Sequence, residues 1–415
     1  MIGQKKLKEA SGEDDFMMDC AASQRRERMA SPARTRRSIA EAYDVMRRTL
    51  AYALFALGAG CSGKALDLGG VPGPSLDGSP SGDGSILGSW PVTDQRNPRS
   101  LRSEGPHLYW IADRAAGCAI VRCDKNDCAK TLVPVVQVES AGLWGIEVRR
   151  DVLYAADSTS IFSCSTIGCS KLRVVVADAE ASAVAFDDIN VYWSRRGKSA
   201  IYSCSLDAAC QQINVVEGSD RTDAVELAVN EATLYWIQTE DAYPQNPGSV
   251  RTVAKDGSGA WATFAGVQNQ AASLAVRNGF VYWATSFSLG TIARCPSAGC
   301  SGGPEILARS QYFPHFVDPA GDMIFWMNGS TLPEDPRSVE VLGCRAADCT
   351  ATLEVLDQGL GASIGARSRT FPSRELVVDD DAIYWIGDIV NVAPMVDGGV
   401  AVVGSIRRTA RRRAR

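Results

Sequence analysis

Short apolar runs alternate with clusters of turn residues along most of the chain. The pattern is clearest from Ser273 to Cys300, SLAVRNGFVYWATSFSLGTIARCPSAGC. Leu274 and Val276 fall on one face of a short strand, because successive strand side chains point to opposite sides. Arg277, Asn278 and Gly279 supply the chemistry of a tight hairpin turn. Val281, Tyr282 and Trp283 then read as a second strand. After a polar loop, a third strand ends at Cys295, and Cys300 follows.

Seven segments share this pattern. An aromatic pair or its equivalent falls at Tyr109-Trp110, Tyr154-Ala155, Tyr192-Trp193, Tyr235-Trp236, Tyr282-Trp283, Phe325-Trp326 and Tyr384-Trp385. Eight positions before each first aromatic stands an aliphatic: Leu101, Ile146, Val184, Leu227, Leu274, Val317 and Leu376. The copies are 38 to 47 residues apart, with one gap of 59 before the last. Each has room for three or four short strands. A repeat of about 40–45 residues with four strands per unit is the signature of a β-propeller. The reading is therefore an all-β propeller over residues 90–407, with seven four-stranded blades.

The tandem Tyr-Trp units resemble the YWTD and NHL classes of propeller. The resemblance runs from Pro98 to Arg407, and Leu108-Tyr-Trp-Ile-Ala-Asp113 comes nearest to the YWTD tetrapeptide. YWTD propellers usually have six blades, which leaves six as the alternative count. The seventh copy ends at Val400–Arg407 without a fourth strand of its own. The weakly strand-like segment Ile86–Val92 is expected to supply it, which would close the ring and cover exposed edges.

Ten cysteines form five local pairs: Cys123/Cys128, Cys164/Cys169, Cys204/Cys210, Cys295/Cys300 and Cys344/Cys349. Each pair follows the third strand of its repeat. Copies four and seven lack both members, so the pair comes and goes as a unit, as a bond would. A zinc site wants four converging thiolate or imidazole ligands, commonly from two Cys-x2-Cys knuckles. Here the pairs sit on different repeats, and the chain has only two histidines. Five disulfides are expected, and they imply an oxidising, exported setting. Cys118 is left over, and a buried inert thiol is its expected state.

The start of the chain agrees with export. Met46-Arg-Arg, an uncharged apolar run and Cys61 resemble a bacterial lipoprotein signal, which implies lipidation of Cys61 after removal of residues 46–60. An unmodified signal or a short anchor is the alternative. Residues 1–45 lack a sustained apolar period and are expected to be disordered, or to precede a true start at Met46. Residues 61–89 are rich in Gly, Ser, Pro and Asp and read as a flexible tether. The expected location is periplasmic or at the cell surface, with the lipid as the link to the membrane.

Formal net charge is −5, but residues 61–406 carry a net of −14 and the last nine residues hold six arginines. An acidic body excludes nucleic acid as the natural partner. The basic tail, 408–415, is read as a solvated end, with an anionic surface as the alternative. No P-loop, dinucleotide fingerprint, zinc-protease helix, EF-hand or nucleophile elbow occurs.

The repeated aromatics are expected to be core. Ligand candidates are sought instead where the copies disagree. In propellers the loops joining second to third strands, and blade to blade, share one face. There the longest loops bring Glu240, Asp241, Tyr243, Glu334 and Asp335, and the link before the sixth aliphatic brings Tyr312, Phe313 and His315. His107 and the cluster Asp379-Asp380-Asp381 are expected to be turn residues. The favoured function is a non-catalytic binding module for a protein or glycan. The alternative is a propeller enzyme of lactonase or quinoprotein-dehydrogenase type, with calcium held by channel carboxylates; this rests on analogy of fold. No other cofactor is expected.

Overall fold

The computed structural model describes residues 90–139, 142–195, 200–206, 210–216, 223–239, 247–329, 339–359, 375–394 and 400–410. All lie in one compact unit, Asp83–Arg415. They form seven four-stranded antiparallel sheets. Seven blades are present, and the count of six is excluded.

Blade 5 shows why the repeat folds as it does. Its strands are Ala271–Arg277, Phe280–Thr285, Gly290–Pro296 and Glu305–Gln311, paired in chain order. The first hairpin turns through Asn278 and Gly279, both with positive φ (51° and 75°), the conformation that Asn and Gly adopt at least cost. The register aligns Leu274 with Trp283 and Val276 with Val281. Gly290 is needed at the next turn. A Cβ there would lie 2.2 Å from the Thr285 carbonyl oxygen and 2.6 Å from Pro314 Cδ.

The aromatic pair works through the alternation of strand faces. Tyr282 packs forward with Ile324 and Trp326 of blade 6, whereas Trp283 packs back with Tyr235 and Phe264 of blade 4. The same pairing recurs around the ring: Tyr192 with Trp236, Phe325 with Trp385, and Tyr384 of blade 7 with Trp110 of blade 1. Blade 2 has Ala155 in place of tryptophan, and it packs with Tyr109. The core is thus seven clusters between blades. Trp110, Trp193, Trp283, Trp326 and Trp385 are fully buried. Each such side chain removes roughly 150–250 Å² from water, which makes them the main apolar contribution at each interface.

The innermost strands are Arg99–Glu104, Gly145–Arg149, Ala181–Phe186, Asp223–Val229, Ala271–Arg277, His315–Ala320 and Leu376–Val378. Five of them carry a bulge just before or at the repeat aliphatic. Two bulges are used to join blades. Ser100 and Ser273 adopt φ of 55°. The Ser100 hydroxyl accepts a hydrogen bond from the Ile146 amide of blade 2 (2.9 Å), and Ser273 accepts one from Val317 of blade 6 (2.8 Å).

The ring closes through the N-terminal part of the chain. Trp90–Arg96 is the outer strand of blade 7, paired antiparallel with Val400–Ala410 from Trp90 opposite Arg408 to Arg96 opposite Val403. The closing strand lies slightly later than the expected Ile86–Val92, of which residues 86–89 fall outside the described residues. The third strand of blade 7 runs on to Ala410, so Arg407 and Arg408 belong to the sheet. Arg407 is bound to Asp357 (3.0 Å).

All five expected disulfides form: Cys123–Cys128, Cys164–Cys169, Cys204–Cys210, Cys295–Cys300 and Cys344–Cys349, with Cα–Cα separations of 4.7 to 5.7 Å. They suit an oxidising, extracytoplasmic compartment. The local structure they staple is not the same in every blade, as the shared spacing had suggested it would be. In blades 1 and 6 the second cysteine, Cys128 or Cys349, is buried and opens a single helical turn, Cys128–Thr131 and Cys349–Thr352. Thr131 and Thr352 tie that turn back to the amides of Asp124 and Arg345. In blades 2, 3 and 5 the second cysteine, Cys169, Cys210 or Cys300, lies in irregular chain after the third strand and is only half-buried. Cys169 packs at the edge of the cluster between blades 1 and 2, and Cys210 at the edge of that between blades 2 and 3. Cys118 is buried and forms no disulfide, and burial raises its thiol above the ordinary value.

Candidate functional site in the central channel

Six innermost strands enclose a cavity of about 220 Å³ on the ring axis. Its position follows from the repeat. One place after the aliphatic, four blades carry a small or branched apolar residue: Ala185, Ala228, Ala275 and Val377. The other three carry charge: Arg102, Glu147 and Asp318. Arg149 and Arg277 stand two places further on, and Glu226 stands one place before its aliphatic. The cavity is lined by these three arginines and three carboxylates, with Phe186 as a larger apolar wall.

One close ion pair joins these charges, and the others meet at longer range or through the backbone. Arg102 Nε donates to Glu147 at 2.8 Å, joining blades 1 and 2. Arg149 lies 3.6 Å from Glu147 and 3.6 Å from Asp188, beyond hydrogen-bonding distance of both. Asp318 accepts from the Val378 amide of blade 7 at 3.0 Å. Arg277 lies 3.9 Å from Asp318 and donates to the Pro319 carbonyl at 3.2 Å. Calcium would need several of these oxygens at 2.3–2.6 Å from one point. Among the described residues, no group of three or more His, Cys, Asp or Glu is placed to hold a metal ion.

The residues singled out from sequence divide in two. Glu240, Asp241, Tyr243, Glu334, Asp335 and Cys61 lie outside the described residues. Tyr312, Phe313 and His315 are brought together at the entrance to the inner strand of blade 6. Tyr312 and Phe313 meet edge to face at 4.9 Å, and Phe313 has a φ of 45°. The two backbones are pinned there, Phe313 donating to Phe287 and Tyr312 accepting from Gly329, each at 3.0 Å. His315 Nε2 sits 2.8 Å from the Ser286 hydroxyl. Burial lowers its pKa to about 4, so the imidazole is neutral at pH 7. A Ser–His contact is the first half of a nucleophilic pair, but among the described residues no carboxylate orients this histidine. These three residues stand where the inner strand begins, whereas the cavity lies along its later half.

His107 opens the second strand of blade 1 rather than sitting in the turn before it, with its ring edge-on to Tyr109 at 6.1 Å. Asp379 is a hairpin residue, as expected. One carboxylate oxygen accepts from the amides of Asp381 and Ala382 (2.9 and 2.8 Å), and the other binds Lys125 of blade 1 (2.8 Å). Asp187 repeats the device in blade 3, with the amides of Ile189 and Asn190 and with Lys255 of blade 4. Burial works to raise both carboxyls. The lysine and the two amides outweigh it and hold each below the ordinary value.

No protein-family model matches the chain, and no curated protein matches it in sequence. Similar solved structures exist. Streptogramin B lyase aligns with a TM-score of 0.50 at 9% identity, covering 77% of this chain and 98% of the lyase chain. A chain of a nidogen/laminin complex aligns at 0.43 and 16% identity, covering 61% of this chain and 93% of that one. A putative TolB from Agrobacterium tumefaciens aligns at 0.41 and 14%, covering 67% and 94%. At 9% identity the lyase likeness concerns the fold alone, and the other two add nothing to it. The class is therefore a seven-bladed β-propeller.

Proposed function

We propose that this chain is an exported, non-catalytic binding propeller whose ligand engages the central channel. One observation carries the reading. Arg102 and Glu147 pair between blades 1 and 2, which stiffens a polar seat, and among the described residues no group of carboxylates converges on a single point as a metal centre requires. The repeated aromatics are consumed by packing, so specificity falls to positions where the blades differ. Attachment through a lipid on Cys61 completes the reading. Its support is the signal-like sequence before that residue together with the five disulfides.

Capture tests it. Purified full-length protein, incubated with envelope extract, should retain a component that is released chemically unchanged. Multiple-turnover conversion of that component would overturn the binding reading. Mass spectrometry of the mature N-terminus should find an acylated Cys61; an unmodified Met1 or Met46 would remove the anchor.

A further inference from the structure

The six charged groups of the channel cancel: Arg102, Arg149 and Arg277 against Glu147, Glu226 and Asp318. A ligand carrying only one sign of charge would leave an uncompensated charge within the ring, and such a charge is costly away from bulk water. A dipolar ligand would not. Two of the cations also have unused capacity. Arg277 makes a single hydrogen bond, to a backbone carbonyl, and its side chain is 52% exposed. Arg149 makes no hydrogen bond within 3.5 Å to either of its carboxylate neighbours, and its buried Nε has no hydrogen-bond partner, with Glu147 3.6 Å away. A guanidinium with open donors suits the planar geometry of a carboxylate. Glu226, from blade 4, adds an acidic group to the same lining. The space is small. At roughly 30 Å³ per water, 220 Å³ corresponds to about seven waters.

Resting on the binding reading above, we infer that the channel takes a small zwitterion with a free carboxylate and a free ammonium, of the size of an amino acid or dipeptide. Arg277 and Arg149 hold the carboxylate and Glu226 holds the ammonium. No bond is made or broken.

Calorimetric titration of the full chain, oxidised and at pH 7 in low salt, tests this with glycylglycine as the probe. Acetate and ethylammonium serve as single-charge controls. Glycylglycine should bind saturably with one site per chain, and neither control should bind at the same concentration. Arg277→Gln and Glu226→Gln should each weaken binding at least tenfold while melting within a few degrees of wild type. Acetate binding as tightly as glycylglycine would overturn the inference in favour of a plain anion site. No heat from any probe would also overturn it, even if the protein still captures an envelope component, in which case the binding-module reading stands. Release of glycine from glycylglycine would support the ligand class and sink the non-catalytic reading instead.

Discussion

His315 is a residue whose chemistry departs far from its ordinary behaviour. Its pKa falls from 6.5 to about 4 through burial. The unfolded chain therefore binds a proton that the folded chain refuses as pH drops below 6.5. Stability is then lost between pH 6.5 and about 4, and at about 1.4 kcal/mol per pKa unit the loss is on the order of 3–4 kcal/mol. Following the imidazole resonances by NMR should give an apparent pKa near 4 for His315. A value near 6.5 would show that the ring is solvated. Trp283 represents the other kind of residue. It is fully buried, and its indole N–H donates to Gln268 at 3.0 Å. Trp283→Ala should cost about 3–5 kcal/mol in urea unfolding. Its packing role was legible from sequence, because it follows Tyr282, which stands at a fixed eight-residue offset from an aliphatic, and so falls on a known strand face. The channel charges were equally visible at a fixed offset. They were missed because single Arg, Glu and Asp residues between aliphatics read as the solvated side of a strand, and only a closed ring turns that side inward.

At the scale of the element, the disulfides and the Lys–Asp contacts secure the same regions by different means. The cysteine pairs close loops of only a few residues. Replacing one pair, such as Cys344→Ser with Cys349→Ser, should cost no more than about 2–3 kcal/mol, the low end of the usual range. Blade 4 holds its outer hairpin without one, with Arg251 stacked on Trp261 at 4.6 Å. The Lys125–Asp379 and Lys255–Asp187 contacts join neighbouring blades, and their carboxyls titrate below the ordinary value. Their stabilisation is complete at neutral pH, above the unfolded carboxyl value near 3.8, and disappears as pH falls through the lowered folded value. Asp379→Asn should therefore flatten the dependence of unfolding free energy on pH below about 4. A slope identical to wild type would contradict the assignment. Strand order and disulfide pairing followed from local spacing. The different settings of Cys128 and Cys349 against Cys169 and Cys210 did not, because the helical turn depends on a threonine three places later, at Thr131 and Thr352, that blades 2 and 3 lack. Nor did the contacts of Ser100 and Ser273, which depend on bulges that place a left-handed residue beside the next blade.

For the whole molecule, closure decides whether seven similar units become one body. Trp90–Arg96 supplies the outer strand of blade 7, and Tyr384 packs with Trp110 across the seam. A chain lacking residues 1–97 should lose single-step unfolding and associate through the exposed edge of Val400–Ala410; unchanged melting and a monomeric profile would refute closure at this site. The need for such a strand was readable from a seventh copy that stops one strand short. The channel was not readable, since its lining comes from strands spread over 218 positions, from Arg102 to Pro319. The central proposition is that the repeats build the scaffold and the charged exceptions in the channel bind the ligand. Its most direct test compares what wild-type protein and the Arg277→Gln/Glu226→Gln double variant retain from the same envelope extract, both being folded by circular dichroism. The wild type should retain a component that the double variant loses. Equal retention by both would place recognition elsewhere on the propeller and contradict the channel as the seat of binding.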